Sequence, residues 1–536
     1  MQREEDKNKI MGKKQSGSVL AYALVIMSVV MIILVSILGY ISSQLKFSFN
    51  RVEKEKAFQS AEAGIYYYRW YLAHETSGQL PAVINAFLQT GGPMGFNPAE
   101  VTYEDIGKYQ LVITPPTAGS TIINVESTGW SNKFPDMKRT VKARFRRPSW
   151  SEYAVLADEF MRFGEGTEVY GKIHSNGGIR FDGLAHNVVS SLLPNVNDPD
   201  HSGVDEFGVH THVRVPPLTG VSSTILATEQ ATVSPVTLRP DIFEAGRQFP
   251  IADVSFAGVL SDLNVMRNAA CIYDNNMPPN CTVINNCSAT GCYFDNSGVG
   301  RQIILKANGT YDIYDVRSFS SDSSAITSYF GKKANGNSCV PSVTTGTPNK
   351  CLDTANCFCN RATYNIINGG VIFVENNVWL DANPSGGGYE KFDESYQDGA
   401  LIDSEAKVTV VAGGTDSKVF VGGSNLEYAR SDGSNILGVV GQKDVEVIKN
   451  SLDNLTITGA LLAQNGRVGR IHYYGDHKNS ITVNGSIATK MRYGFAYTDG
   501  TGYDTRNLNF DNNLLYYPPP YFPTGTEYAI DLWEEL

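Results

Sequence analysis

Residues 18–45 read SVLAYALVIMSVVMIILVSILGYISSQL, with no charged side chain. The centre of this run, residues 19–41, is almost wholly aliphatic. As a helix it rises ~35 Å, enough to cross a hydrocarbon core. It exceeds the roughly 7–15 apolar residues of a secretory signal, and no A-x-A site follows, so it is expected to be retained. Lys13 and Lys14 precede it, which predicts a cytoplasmic leader and an exported remainder. Residues 44–72 follow as QLKFSFNRVEKEKAFQSAEAGIYYYRWYL. No proline interrupts residues 18–73, and strong helix formers dominate after Arg51, so one continuous helix is expected. Ala57, Ala61, Gly64, Ile65 and Tyr68 fall on one face of it.

Composition bounds the rest. The chain has 536 residues, 51 of them Gly, with 18% charged residues and a formal net charge of −11. That mix fits a turn-rich, β-heavy protein and argues against collagen, general disorder or a nucleic-acid-coating protein. All eight cysteines lie at 271, 281, 287, 292, 339, 351, 357 and 359. An even number in one window, with no C-x₂-C pair, predicts disulfides in an oxidising compartment over a zinc site. Cys271, Cys281, Cys287, Cys292, Cys339, Cys351, Cys357 and Cys359 allow 105 pairings, and the sequence does not choose among them.

Ahead of the apolar run stands MGKKQSG, residues 11–17. A short basic segment ending in Gly resembles the cleavage site of type IV prepilins, where a membrane peptidase cuts after Gly. The resemblance makes Gly17 and Ser18 the residues flanking the processed bond. Residues 57–65, AFQSAEAGI, are similar to the end of the PilX-type minor pilin N-terminal region. Ala57, Phe58, Ala61, Glu62, Ala63 and Gly64 carry that motif, and the likeness covers residues 12–75. It implies a long pilin helix anchored in membrane or pilus core, partnered by other pilins or minor pilins and processed by the prepilin peptidase. Major pilins carry Glu at the fifth mature position; counted from Ser18, that position is Tyr22. A subunit inserted rarely, or at a tip, can do without the carboxylate.

Residues 108–147 alternate in three segments and predict a small antiparallel sheet. Lys142, Arg144 and Arg146 share a face, read as the solvated side of an edge strand or, more sharply, as a patch for DNA or an acidic neighbour. Beyond Pro148, three fragments share a frame: VYGKIHS (169–175), ITGALLA (457–463) and VNGSIAT (483–489). Gly at a corner before an apolar strand suits a rung of a stacked coil. The expected fold is therefore α+β, mainly β. It comprises a leader (1–17), a transmembrane or pilin helix (18–75), a small β unit (76–148) and a parallel β-helix-like region (149–261 and 366–536). A disulfide-rich, loop-like insertion (262–365) interrupts that region, and a β-sandwich is the alternative to the coil.

Chemistry is sparse. Residues 197–206, NDPDHSGVDE, place Asp198, Asp200, Ser202 and Asp205 as in the front half of a calcium loop, but position twelve is Val209 and lacks the closing Glu. An Asp/Pro turn is the plainer reading, and calcium is the one cofactor this loop suggests. Five of the 8 histidines lie in 174–212. His210 and His212 would share a strand face, either exposed or holding a transition metal. No hydrolase, P-loop or zincin motif occurs. The expected function is non-enzymatic: a minor pilin-like envelope protein at the cell surface, acting in assembly, tip recognition or adhesion, with its surface ligand unknown. A pseudopilin of a type II secretion system is the alternative, and a membrane-anchored polysaccharide-active enzyme is the alternative from another class.

Overall fold

The computed structural model describes residues 16–76, 79, 81–116, 122–201, 203–215, 220–256, 259–271, 286–329, 331–332, 358–359, 361–382, 405–524 and 528–536. It opens with a single helix, α1 (Ser16–Thr76, 61 residues). The side chains of residues 18–52 are exposed throughout. By length and composition α1 can cross a membrane. Its second half is buried on one side: Ala57, Ala61, Ile65 and Leu72 are inaccessible and Tyr68 nearly so.

That side lies on an antiparallel sheet of β1 (Val101–Tyr103), β2 (Gly107–Thr114), β3 (Ile123–Ser131) and β4 (Lys138–Arg146). The alternation of the sequence becomes alternation of burial. Tyr109, Leu111 and Ile113 of β2 face the helix, with Val125 of β3 and Val141, Ala143 and Phe145 of β4. A fifth strand, Ala529–Glu535, comes from the other end of the chain and pairs antiparallel with β4. The expectation that Lys142, Arg144 and Arg146 lie on an edge strand is thereby corrected, because β4 is internal. Arg144 donates two 2.8 Å bonds to Asp531, which also takes Arg146. Arg146 further pairs with Glu152, Arg139 with Glu535, and Lys142 stands 3.7 Å from Glu126. The basic face meets its counter-charges within the chain.

Among the described residues between 155 and 510, most strands stack in parallel as a coil. The first turn is β5 (Val155–Ala157), β6 (Met161–Phe163) and β7 (Thr167–Tyr170). The second is β8 (Ile173–Ser175), β9 (Ile179–Phe181) and β10 (Leu184–Ala185), each strand parallel to its counterpart in the first. β11 (Val189–Ser191) continues the column on β8. After it come the antiparallel pair β12 (Asn195–Val196) and β13 (Glu206–Phe207), then β14 (Val209–His210), which lies parallel to β9. β15 (Arg247–Gln248) extends the column on β11.

The coil restarts at its opposite end. Gly291–Phe294, Gly370–Val374, Lys407–Ala412, Ile436–Gly441, Asn454–Ala463 and His477–Thr489 stack in parallel back toward β5. A second column of Gly300–Leu305, Asn377–Asp381, Val419–Val421, Val445–Val447 and Val468–Arg470 runs beside them. The coil closes when His477–Thr489 pairs with β5. One inward row then runs Cys292, Ile372, Val410, Val439, Leu461, Ile487, Val155, Ile173, Val189 without interruption. Each member is at most 2% exposed. Burial of one such aliphatic side chain contributes about 1.5–3 kcal/mol, so the row is a principal stabiliser of the coil. Outward residues of the same sheet, among them Leu156, Val440 and Phe373, are covered by Trp150, Leu514, Phe522 and the helix Val259–Ala270. Cover on both faces explains the continuous apolar runs.

The three glycine frames meet in this sheet. Gly459 and Gly485 stand side by side, with φ of 151° and 153°, and Gly171 bends at 152°. A Cβ on Gly485 would lie 2.0 Å from the Gly459 carbonyl oxygen, so neither the bend nor the spacing admits a side chain.

Within the cysteine window, Gly291–Phe294 and Gly300–Leu305 are fully buried rungs of the coil. Cys287 and Cys292 are joined across a short antiparallel pair, and Cys271 is also disulfide-bonded. Cys359 lies on the short strand Phe358–Cys359. Cys281, Cys339, Cys351 and Cys357 lie outside the described residues. No cysteine among the described residues is free.

Candidate functional site

Two constellations stand out, one at the helix–sheet contact and one around β12, β13 and β14. In the first, small residues set the approach. A Cβ on Gly64 would sit 2.3 Å from Ser127 Oγ and 2.8 Å from Tyr109 Cδ2. Opposite it, a Cβ on Gly129 would lie 2.3 Å from the Ala57 carbonyl oxygen and the Ala61 nitrogen. The A-x-x-x-A-x-x-G spacing thus leaves a flat strip on which β3 lies directly. Phe58 flanks the strip and packs under the Arg139 guanidinium, 5.6 Å from its ring centre. Glu62 and Ala63 are half-buried at the margin. Gly17 and Ser18 fall in the first turn of α1, and Tyr22 is exposed on its bare half.

In the second, the structure separates the four residues of the expected calcium loop. Asp198 is buried, and its Oδ1 accepts the Asp200 backbone N–H at 2.8 Å, an Asx turn. Asp200 turns outward to Arg492, at 2.9 and 3.0 Å, and to Arg162 at 3.1 Å. Asp205 is exposed and stands 3.4 Å from the Asn197 amide. Ser202 lies outside the described residues. The carboxylates of Asp198, Asp200 and Asp205 therefore share no centre.

Asp198 instead faces histidines. His201 Nε2 is 3.2 Å from Asp198 Oδ2 and 3.4 Å from Glu206 Oε2. His212 Nε2 is 3.0 Å from Glu206 Oε1 and 3.0 Å from His201 Nε2. One ligand atom from each of Asp198, His201, Glu206 and His212 lies within 4.8 Å of all the others. His210 Nε2 stands beside this group, 3.6 Å from Asp198 and 3.5 Å from Glu206. His210 and His212 are wholly buried, which corrects the reading of them as exposed polar residues. Burial alone would raise the Asp198 pKa. His210, the Asp200 backbone N–H and Arg180 outweigh it and hold the carboxyl below its ordinary range.

β13 and β14 place Glu206 and His210 on consecutive short strands, and the turn after β12 carries Asp198 and His201. The sequence reading missed His201 and Glu206 as members. The available signal was E-x₃-H-x-H over 206–212, with a carboxylate four residues before a histidine pair.

No family model matches the sequence, and no curated protein sequence matches it. Among solved structures, the chain is similar to the competence-associated pilin ComZ from Thermus thermophilus. The two are 11% identical, with a TM-score of 0.25, over 90% of this chain and 97% of the other. A superposition that loose carries no argument about role.

Proposed function

We propose that the chain is a minor type IV pilin-like subunit of the cell envelope, acting in pilus assembly, tip recognition or adhesion without catalysing a reaction. The split burial of α1 carries this reading. The half up to residue 52 offers an uncharged apolar surface and then an exposed polar stretch, while the half from Glu53 is docked on a sheet through Ala57, Ala61 and Gly64. A soluble protein has no use for some twenty apolar residues left bare on one helix. A subunit stored in a membrane and packed among other pilin helices uses both halves. The coil is then the displayed part, and the prepilin peptidase, the membrane and neighbouring pilins are the partners. Mass spectrometry of the native protein tests the reading: the mature chain begins at Ser18. A mature chain that begins at Met1, or beyond residue 41, overturns it.

A further inference from the structure

In the histidine–carboxylate cluster around Asp198, backbone carbonyls take the Nδ1 proton of two rings. His210 Nδ1 donates to the Phe207 carbonyl oxygen at 2.9 Å, and His212 Nδ1 to the Ser222 carbonyl oxygen at 3.3 Å. A neutral imidazole that donates through Nδ1 presents a bare lone pair at Nε2. The Nε2 atoms of both rings face carboxylate oxygens, His212 at 3.0 Å from Glu206 Oε1 and His210 at 3.5 and 3.6 Å from Glu206 and Asp198. His210 Nε2 is buried and has no hydrogen-bond partner, although these carboxylate oxygens stand so near. A metal cation among these groups would take the Nε2 lone pairs, including that of His210, and offset the two carboxylates.

We propose that Asp198, His201, Glu206, His210 and His212 form a binding site for one divalent transition-metal ion of the zinc class. The donor set decides the class: imidazole nitrogens with carboxylates suit zinc and its first-row neighbours, whereas calcium takes oxygen ligands. The backbone carbonyls that hold Nδ1 of His210 and His212 are the outer contacts that orient ligating histidines. His201, on the outer side of the cluster with 16% of its side chain exposed, gives the ion a path from solvent. Such an ion would tie the loop before β13 to β14, which lies on the β9 column of the coil.

The test uses the full chain in detergent, loaded with Zn(II), dialysed and analysed by plasma mass spectrometry. About one zinc per chain is expected to survive dialysis. His210→Gln and His212→Gln are expected to lose it, and His201→Ala to weaken it by about tenfold or more. His186→Gln, whose ring lies outside the cluster, retains it. Circular dichroism reports whether each variant is folded. Failure of the wild-type chain to hold zinc overturns the proposal, as does a folded His210→Gln or His201→Ala that holds it like the wild type. Should the buried variants fail to fold, the wild-type stoichiometry and His201→Ala decide. Thermal stabilisation by calcium and not by zinc also overturns the assignment.

Discussion

Ile487 pairs in register with Val155, so a strand from the far half of the chain lies against the first strand of the coil. The coil therefore has a seam in its middle, where segments more than three hundred residues apart continue one apolar row. Truncating a member of that row leaves a cavity that both arms border. Ile487→Ala is expected to cost about 2–5 kcal/mol in denaturant unfolding. Hydrogen exchange should rise together in residues 155–191 and 436–489. Exchange confined to one side would show that the arms fold independently.

Gly64 offers a comparison within one helix. An alanine there gains about 0.5–1 kcal/mol in helix propensity, but its Cβ meets Ser127 Oγ at 2.3 Å. Overpacking of that kind costs about 1–3 kcal/mol and should win. Gly39→Ala, with nothing within 4 Å, should be neutral or mildly stabilising. Limited proteolysis of β2 and β3 reads the difference: cleavage increases for Gly64→Ala alone.

Asp531 gathers Arg144 and Arg146, whose side chains are 17% and 14% exposed. Asp531→Asn removes the charge those guanidiniums share. The expected loss is about 1–3 kcal/mol, with faster exchange along residues 141–146. No change would mean that Glu152 and solvent suffice.

Alkaline pH should loosen the protein in a defined window. Burial pushes Tyr109, Tyr473 and Tyr503 up to about 12. A tyrosine whose folded pKa is raised binds its proton more tightly in the folded state. Its contribution is thus complete below about pH 10 and is lost as pH rises toward about 12. The denaturant midpoint should fall between those values. Ultraviolet absorbance should show a group of tyrosines ionising late. Ionisation of every tyrosine near pH 10 without unfolding would contradict the burial.

Copy number follows from Tyr22 under the proposed function. A shaft subunit without a carboxylate at that position leaves its neighbour's terminal amine unpaired. Labelled antibody should mark filament ends or scattered surface points, and deletion should lower pilus number or adhesion while leaving the shaft unchanged. Uniform decoration at a density like that of the major subunit refutes the minor role.

The long helix and the glycine corners were legible because each is local. Helix propensity and an unbroken apolar run declare α1 within a single window. The frame shared by Gly171, Gly459 and Gly485 declares a repeated bend. Pairing between Ile487 and Val155 leaves no such mark, since parallel stacking needs only that both be aliphatic. The same limit hid the partner of β4, for the acids of the last strand are far away in sequence. Asp198 and Asp200 misled for a related reason. Alternate oxygens in a loop resemble a calcium frame whether the side chains converge or, as here, diverge toward Arg492 and toward His210.

The strand Ala529–Glu535 follows the whole coil in sequence, and it completes a sheet begun at Val101. Until it arrives, β4 keeps a row of open backbone groups, and Tyr66 of α1 lacks the ring of Trp533 that lies 5.9 Å away. A ribosome product cut short anywhere in the coil would leave the helix platform unfinished. The sheet under α1 is thus closed by a strand that the chain reaches only after the coil.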